Sequence, residues 1–210
     1  MAVITTHDVT LTGRAGGVDL VLRPLCDDHL PLLCRWNADP EIVYWEESGP
    51  GKACTYTEGE DAHFYDKETV CSIYGAVSCS AVCFLVEADG RAIGECWLQR
   101  MNLPEVCALY PGQDVCRIDM TIGEKEFWGR GIGTGLVGML VGFAFRRERV
   151  DVLHCLVGDH NARSQRTFLR NGFRSLPMED LPVGERETGE LHFVLTRLEY
   201  ECRQGNCGHR

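Results

Sequence analysis

No stretch of this sequence is apolar for long enough to cross a bilayer. The longest such run, around residues 136–145, is broken by glycines and falls short of the ~20 residues that a spanning helix needs. The N-terminus lacks the basic-then-apolar layout of a secretory signal, so a cytosolic protein with no membrane partner is expected. Positive charge is scarce too. Lys and Arg number 21 against 31 Asp and Glu, a formal charge of −10, and neutralising nucleic-acid phosphates takes clustered basic side chains. Nucleic acid is therefore not expected as a partner; a cationic one is the natural complement, although acidity also serves solubility alone. No Cys-x-x-Cys pair occurs, so no metal is expected. Cys202, Cys207 and His209 fall in a polar C-terminal tail (201–210), read as flexible. Internal repeats and long linkers are also missing.

What is present suits one domain: 210 residues with 44% hydrophobic content build one good core and not two. The domain is expected over 17–200, after an N-terminal extension of 1–16. Although the chain has twelve cysteines, Cys34, Cys83, Cys96, Cys116 and Cys155 sit in apolar segments and read as buried small hydrophobes. "GVDLVLRPL" (17–25) alternates like a half-buried strand, and "DDHLPLLCRW" (27–36) reads as a helix capped by Asp27 or Asp28. Residues 37–57 read as a loop and 58–73 as a helix. "AVCFLVEADGRAIGECWLQ" (81–99) reads as two strands joined at Asp89-Gly90, a strong hairpin signal. Strands follow at 115–122, 152–157 and 191–198, with helices after the first two; Gly172 stops the second helix. The fold class is α/β or α+β, with a mixed sheet.

"FWGRGIGTGLV" (127–137) is the densest glycine stretch. Strand, glycine turn and helix form the setting in which bare amides at a helix start hold phosphate. Gly129, Gly131 and Gly133 would let the chain approach the anion, and Arg130 adds charge. The spacing is neither a dinucleotide fingerprint nor a Walker loop, and on its own an ordinary structural turn is as good a reading.

Three segments in order, "RPLCDDHLPLL", "IDMTIGEKEFWGRGIGTGLVGML" and "NARSQRTFLRNGFR", resemble the motifs of the GNAT acetyltransferases across nearly all of residues 17–198. The resemblance implies a mostly antiparallel sheet flanked by helices, with acetyl-CoA as co-substrate. Its pyrophosphate would lie on the turn formed by Gly129, Arg130, Gly131, Ile132, Gly133 and Thr134. Trp128 stands where Gln or Arg is usual. The thioester would lie along Met120, Thr121 and Ile122, Asn161 would lie near the pantetheine arm, and Ser164 would contact the cofactor, where it or a water could protonate the leaving thiolate; Asn161 is equally suited to capping the helix.

"EIVYWEE", "RID", the block beginning at Asn161 and "ETGELHFVLTR" are similar to aminoglycoside 6'-N-acetyltransferases, implying acetyl transfer to an aminoglycoside amine and antibiotic resistance. In that reading Asp119 is the proton acceptor. Strand alternation puts it on one face with Arg117 and Thr121, and a plain ion pair with Arg117 stays open. Tyr44, Trp45, Glu46, Glu47, Asp159 and Glu187, together with Asp119, are the residues that resemble the family's substrate-facing segments. Phe168 replaces the tyrosine that many family members use to protonate the leaving thiolate, and it has no proton to give. His154 and His192 read as satisfied core residues. Acetylation of protein N-termini, of a hydroxylamine or siderophore precursor, or CoA binding without catalysis are the alternatives.

Overall fold

The computed structural model describes residues 3–46, 66–181 and 190–205. In chain order they form β1 (Leu11–Ala15), β2 (Val18–Pro24), α1 (Leu30–Asn37), α2 (Pro40–Glu46), α3 (Lys67–Ser78), β3 (Ala81–Ala88), β4 (Arg91–Arg100), α4 (Pro104–Cys107), β5 (Val115–Ile122), α5 (Ile132–Arg146), β6 (Val152–Gly158), α6 (Ala162–Arg170), β7 (Arg174–Ser175), β8 (Glu190–Thr196) and α7 (Arg197–Arg203). The strands make one sheet in the order β1-β2-β3-β4-β5-β6-β8-β7. Every pairing is antiparallel except β5 with β6. The mixed, mostly antiparallel sheet expected from sequence is thus observed.

Three departures have local causes. Leu11–Ala15, placed by sequence in an N-terminal extension, is an edge strand paired with β2; its short, Gly- and Thr-containing run gives little periodic signal. Residues 40–46, read as loop, form α2, which begins on Pro40, where fixed φ suits a helix start. The last strand ends at Thr196, whose hydroxyl accepts from the Glu199 amide and starts α7. Of the helix expected at 58–73, residues 58–65 lie outside the described ones; α3 starts at Lys67, capped by Asp66.

Side-chain alternation decides the two layers. Leu20, Leu22, Phe84, Cys96 and Ile118 face α5, and Leu136 and Leu140 of that helix complete the main core. On the opposite face Leu85 and Cys83 meet Leu33 of α1 with Val70 and Tyr74 of α3. Cys83, Cys96, Cys116 and Cys155 are buried, as expected of small hydrophobes, whereas Cys34 is only half-buried. His154 and His192 bond to each other at 2.8 Å, with Tyr110 on His154 at 3.3 Å. Burial, reinforced by His192 and Arg117, lowers the His154 pKa to about 3, the behaviour of a neutral core residue.

The site is positioned by a split in the sheet. Parallel pairing of β5 with β6 is confined to Val115↔Val152 and Cys116↔Leu153. Beyond that point the strands part, and the edge of β5 from Arg117 to Ile122 that faces β6 has no ladder. On its other edge β5 stays paired with β4 from Gly94↔Ile122 to Arg100↔Cys116. Gly94 permits this approach, since a Cβ there would lie 2.1 Å from the Thr121 carbonyl oxygen.

Candidate active site

A cleft of about 640 Å³ opens at the split. One wall is the glycine turn. Gly129 and Gly131 have φ of +72° and +79°, in the left-handed region, and open space lies where a Cβ would stand. Glycine is needed there because other side chains resist that backbone. Gly135 is the first residue in the turn whose amide finds a backbone carbonyl, on Gly131 at 3.2 Å; the amides of residues 129–134 have no protein acceptor among the described residues. These donors stand at the start of the fifteen-residue α5, whose dipole adds positive potential. The pyrophosphate of a CoA fits such a cradle.

Trp128 closes one end of the cradle. Its indole donates to the Ile122 carbonyl at 2.6 Å, tying the turn to the end of β5, and the Arg163 guanidinium lies over its ring at 4.7 Å. Arg163 also lies 4.2 Å over Trp45, so a cation is stacked between two indoles. The turn after β5 is held by Glu124, which accepts from Trp36 at 3.0 Å, from Arg91 at 2.9 Å and from Arg35. Burial raises its pKa, but the Trp36 donor and the two guanidinium groups outweigh that effect and hold it below the usual carboxylate range.

The opposite wall carries carboxyl groups. Asp119 is there, on the face with Arg117 and Thr121, as alternation implies. Its Oδ2 accepts from Trp97 Nε1 at 2.9 Å and from Arg117 Nε at 2.7 Å, and its Oδ1 accepts from Arg117 Nη2 at 2.5 Å. This is the bidentate fork that fixes a carboxylate in place. Glu46, at the end of α2, accepts from the Thr121 hydroxyl. Between them lies Glu95 on β4, opposite Thr121, only 1% exposed. Its Oε1 accepts from the Tyr74 hydroxyl at 3.3 Å, and Oε2 has no hydrogen-bond partner among the described residues. Burial, then the charge of Glu46, pushes its pKa well above the ordinary carboxyl value.

The cleft gathers Trp45, Glu46 and Asp119, Met120 to Ile122, Trp128, Gly129, Gly131 to Thr134, Asn161 and Ser164 from the sequence-predicted set. Three others lie off its walls. Arg130 packs over Phe127 at 5.0 Å; Tyr44 packs on Trp45 and His160; Asp159, 59% exposed, lies 3.7 Å from His160. Glu47 and Glu187 fall outside the described residues. Asn161 caps α6 by accepting from the Ser164 amide at 3.0 Å and donates to the Trp45 carbonyl at 2.8 Å, so both of its polar atoms are engaged. Phe168 borders the cleft but is buried against Phe173 and Phe193. Sequence reasoning missed Glu95, Tyr74, Trp97 and Arg163. The alternation Glu95-x-Trp97-x-Gln99 was the available signal.

A family model for an acetyltransferase (GNAT) domain matches residues 19–174. Among solved structures the chain is similar to the aminoglycoside acetyltransferase AAC(6')-Ib in complex with coenzyme A, at 20% identity over 88% of this chain and 99% of that one, TM-score 0.61. It is similar to spermidine N-acetyltransferase from Vibrio cholerae in complex with CoA and spermine, at 16% identity over 86% and 97%, TM-score 0.63. RimJ from Mycobacterium smegmatis in complex with CoA-disulfide matches at 17% identity over 95% and 96%, TM-score 0.63. Identities this low speak for the fold alone. The family match spans most of the chain and includes both the split sheet and the open glycine turn: the protein belongs to the GNAT acetyltransferases and is an N-acetyltransferase that draws its acetyl group from acetyl-CoA.

Proposed function

We propose that the protein acetylates a primary amine of a polycationic small molecule in the cytoplasm, the 6'-amine of an aminoglycoside, and so confers resistance to the antibiotic. The observation that carries this reading is the acidic wall. Glu46, Glu95 and Asp119 line the cleft beside the open edge of β5, where a cation replaces lost hydration with charge-assisted contacts. The solved relatives include AAC(6')-Ib with kanamycin and with ribostamycin, and the spermidine enzyme with spermine. That these are amine complexes supports an amine acceptor here.

Acetyl-CoA brings an already activated thioester. The amides of residues 129–134 hold its pyrophosphate, and the open edge of β5 from Met120 to Ile122 supplies amides to polarise the thioester oxygen. Asp119, locked to Arg117 and Trp97, is a fixed anion beside which the ammonium docks. With Phe168 in place of a proton donor, the thiolate takes its proton from the amine or from water; an ordinary thiol pKa near 8.5 permits that departure.

Steady-state assays with acetyl-CoA against kanamycin-type aminoglycosides, spermine and basic peptides test the reading. Turnover is expected with the aminoglycosides, with KM rising as salt screens the carboxylates. Preference for peptides contradicts it, and salt-insensitive KM points to a neutral acceptor.

A further inference from the structure

Glu95 stands apart from the other carboxyl groups of the cleft. Glu46 is exposed and holds the Thr121 hydroxyl, and Asp119 has three donors on its two oxygens. Glu95 is almost wholly enclosed, yet it borders the cleft, and its Oε2 has no hydrogen-bond partner within bonding geometry among the described residues. A buried polar atom left unsatisfied costs stability and calls for a reason. The groups facing Glu95 are Glu46 from α2, Tyr74 from α3, the Cys83 thiol from β3, its neighbour Cys96, and from β5 both the Thr121 hydroxyl, which favours the charged form but donates to Glu46, and Asp119 with its Arg117. The one cation among them is committed to Asp119. A buried carboxyl surrounded by anions and neutral groups is stable only with its own proton, unless a cation comes in.

We propose that Glu95 Oε2 receives the proton of the acceptor ammonium, the task for which the engaged oxygens of Asp119 are unsuited. The proposal rests on the amine-acetylation reading. In the resting cleft Glu95 is a neutral acid, held in place at Oε1 by the Tyr74 hydroxyl. When an ammonium docks against Oε2, its charge favours the carboxylate, and Glu95 releases its proton to solvent. The carboxylate then takes one proton from the ammonium nitrogen, and the resulting amine attacks the thioester carbon. As the N–C bond forms the C–S bond breaks; the second amine proton goes, directly or through water, to the departing thiolate, which leaves as the CoA thiol. Glu95 is back in its resting neutral form. The cycle releases one proton, as conversion of an ammonium and a thioester into an amide and a thiol requires.

Three measurements on the full chain test this. Difference infrared spectra of wild type and Glu95→Gln at neutral pH should show a protonated-carboxyl stretch that the variant lacks. Calorimetry with a kanamycin-type amine in buffers of different ionisation enthalpy should give close to one proton released per amine bound, and none in Glu95→Gln. In steady state the variant should lose kcat by ~10²–10⁴-fold, as for a general base, while binding acetyl-CoA normally; the wild-type rise of kcat with pH should lose the limb that belongs to Glu95. Tyr74→Phe keeps the carboxyl but removes the donor that favours its charged form, so it should keep proton release and move that limb to higher pH. A resting Glu95 without the protonated stretch, amine binding without proton release, or an unmoved limb in Tyr74→Phe each overturns the proposal. An amine panel that neither binds nor turns over instead removes the acceptor reading on which it rests.

Discussion

The two walls of the cleft are built from different materials. The donor wall is backbone: the amides of residues 129–134, kept bare by glycines at positive φ and aimed by α5. The acceptor wall is side chain: Glu95 and Asp119 on neighbouring strands, with Tyr74 and Glu46 brought over them by two helices. A phosphate is read by geometry that many sequences produce once glycines stand in the turn. An ammonium is read by carboxyl groups whose charge depends on what covers them.

The sharpest break should come at the acceptor wall, in the ~10²–10⁴-fold loss of kcat expected for Glu95→Gln with acetyl-CoA affinity unchanged. The donor wall should answer in the opposite way. Gly131→Val forces a β-branched side chain into φ +79° and fills the space above the turn, where such a residue is strained and the anion would approach, so calorimetric affinity for acetyl-CoA should fall sharply. Unchanged affinity would mean that the pyrophosphate lies elsewhere.

A third variant separates the two carboxyl groups within one wall. Asp119→Asn leaves Arg117, whose side chain is 22% exposed, without its counter-charge, and removing a charged hydrogen-bond partner costs ~1.5–3 kcal/mol. Thermal unfolding should report that loss, and KM for the amine should rise more than kcat falls. A kcat loss as deep as that of Glu95→Gln would return the proton-accepting role to Asp119.

Stability against pH offers a subtler contrast. The folded pKa of Glu95 is raised above its unfolded value, so between the two the native state holds more protons than the unfolded chain, and stability falls as pH rises. Glu95→Gln removes that slope. The variant should gain stability relative to wild type as pH climbs from mild acid past neutrality, and equal stability differences across that range would contradict a raised pKa. Smallest of all should be Phe168→Tyr: thiolate departure does not limit the rate, so kcat should stay where it is.

How much was legible in the sequence follows the same division. The hairpin at Asp89-Gly90 and the alternation of β5 are local patterns, and the family motifs place the glycine turn without knowledge of tertiary packing. Asp119 was legible as a position, and its partner Arg117 as an open possibility, but the Trp97 donor comes from a strand that meets it only in the sheet. Glu95 was not legible. Alternation puts it on a face with Trp97, yet only the covering α2 and α3 turn that face into an interior, and α2 itself was hidden by the aromatic and acidic residues that suggested a loop. Burial is a tertiary property, and the chemistry of Glu95 is wholly a consequence of burial.

Acetylation of an aminoglycoside is checked most directly by acetyl-CoA turnover with a kanamycin-type compound, followed by thiol release and by the site of acetylation. Stoichiometric thiol and a product acetylated at the 6'-amine are expected, with KM increasing with ionic strength. Binding of acetyl-CoA with no thiol release above background, across aminoglycosides and spermine alike, would contradict it.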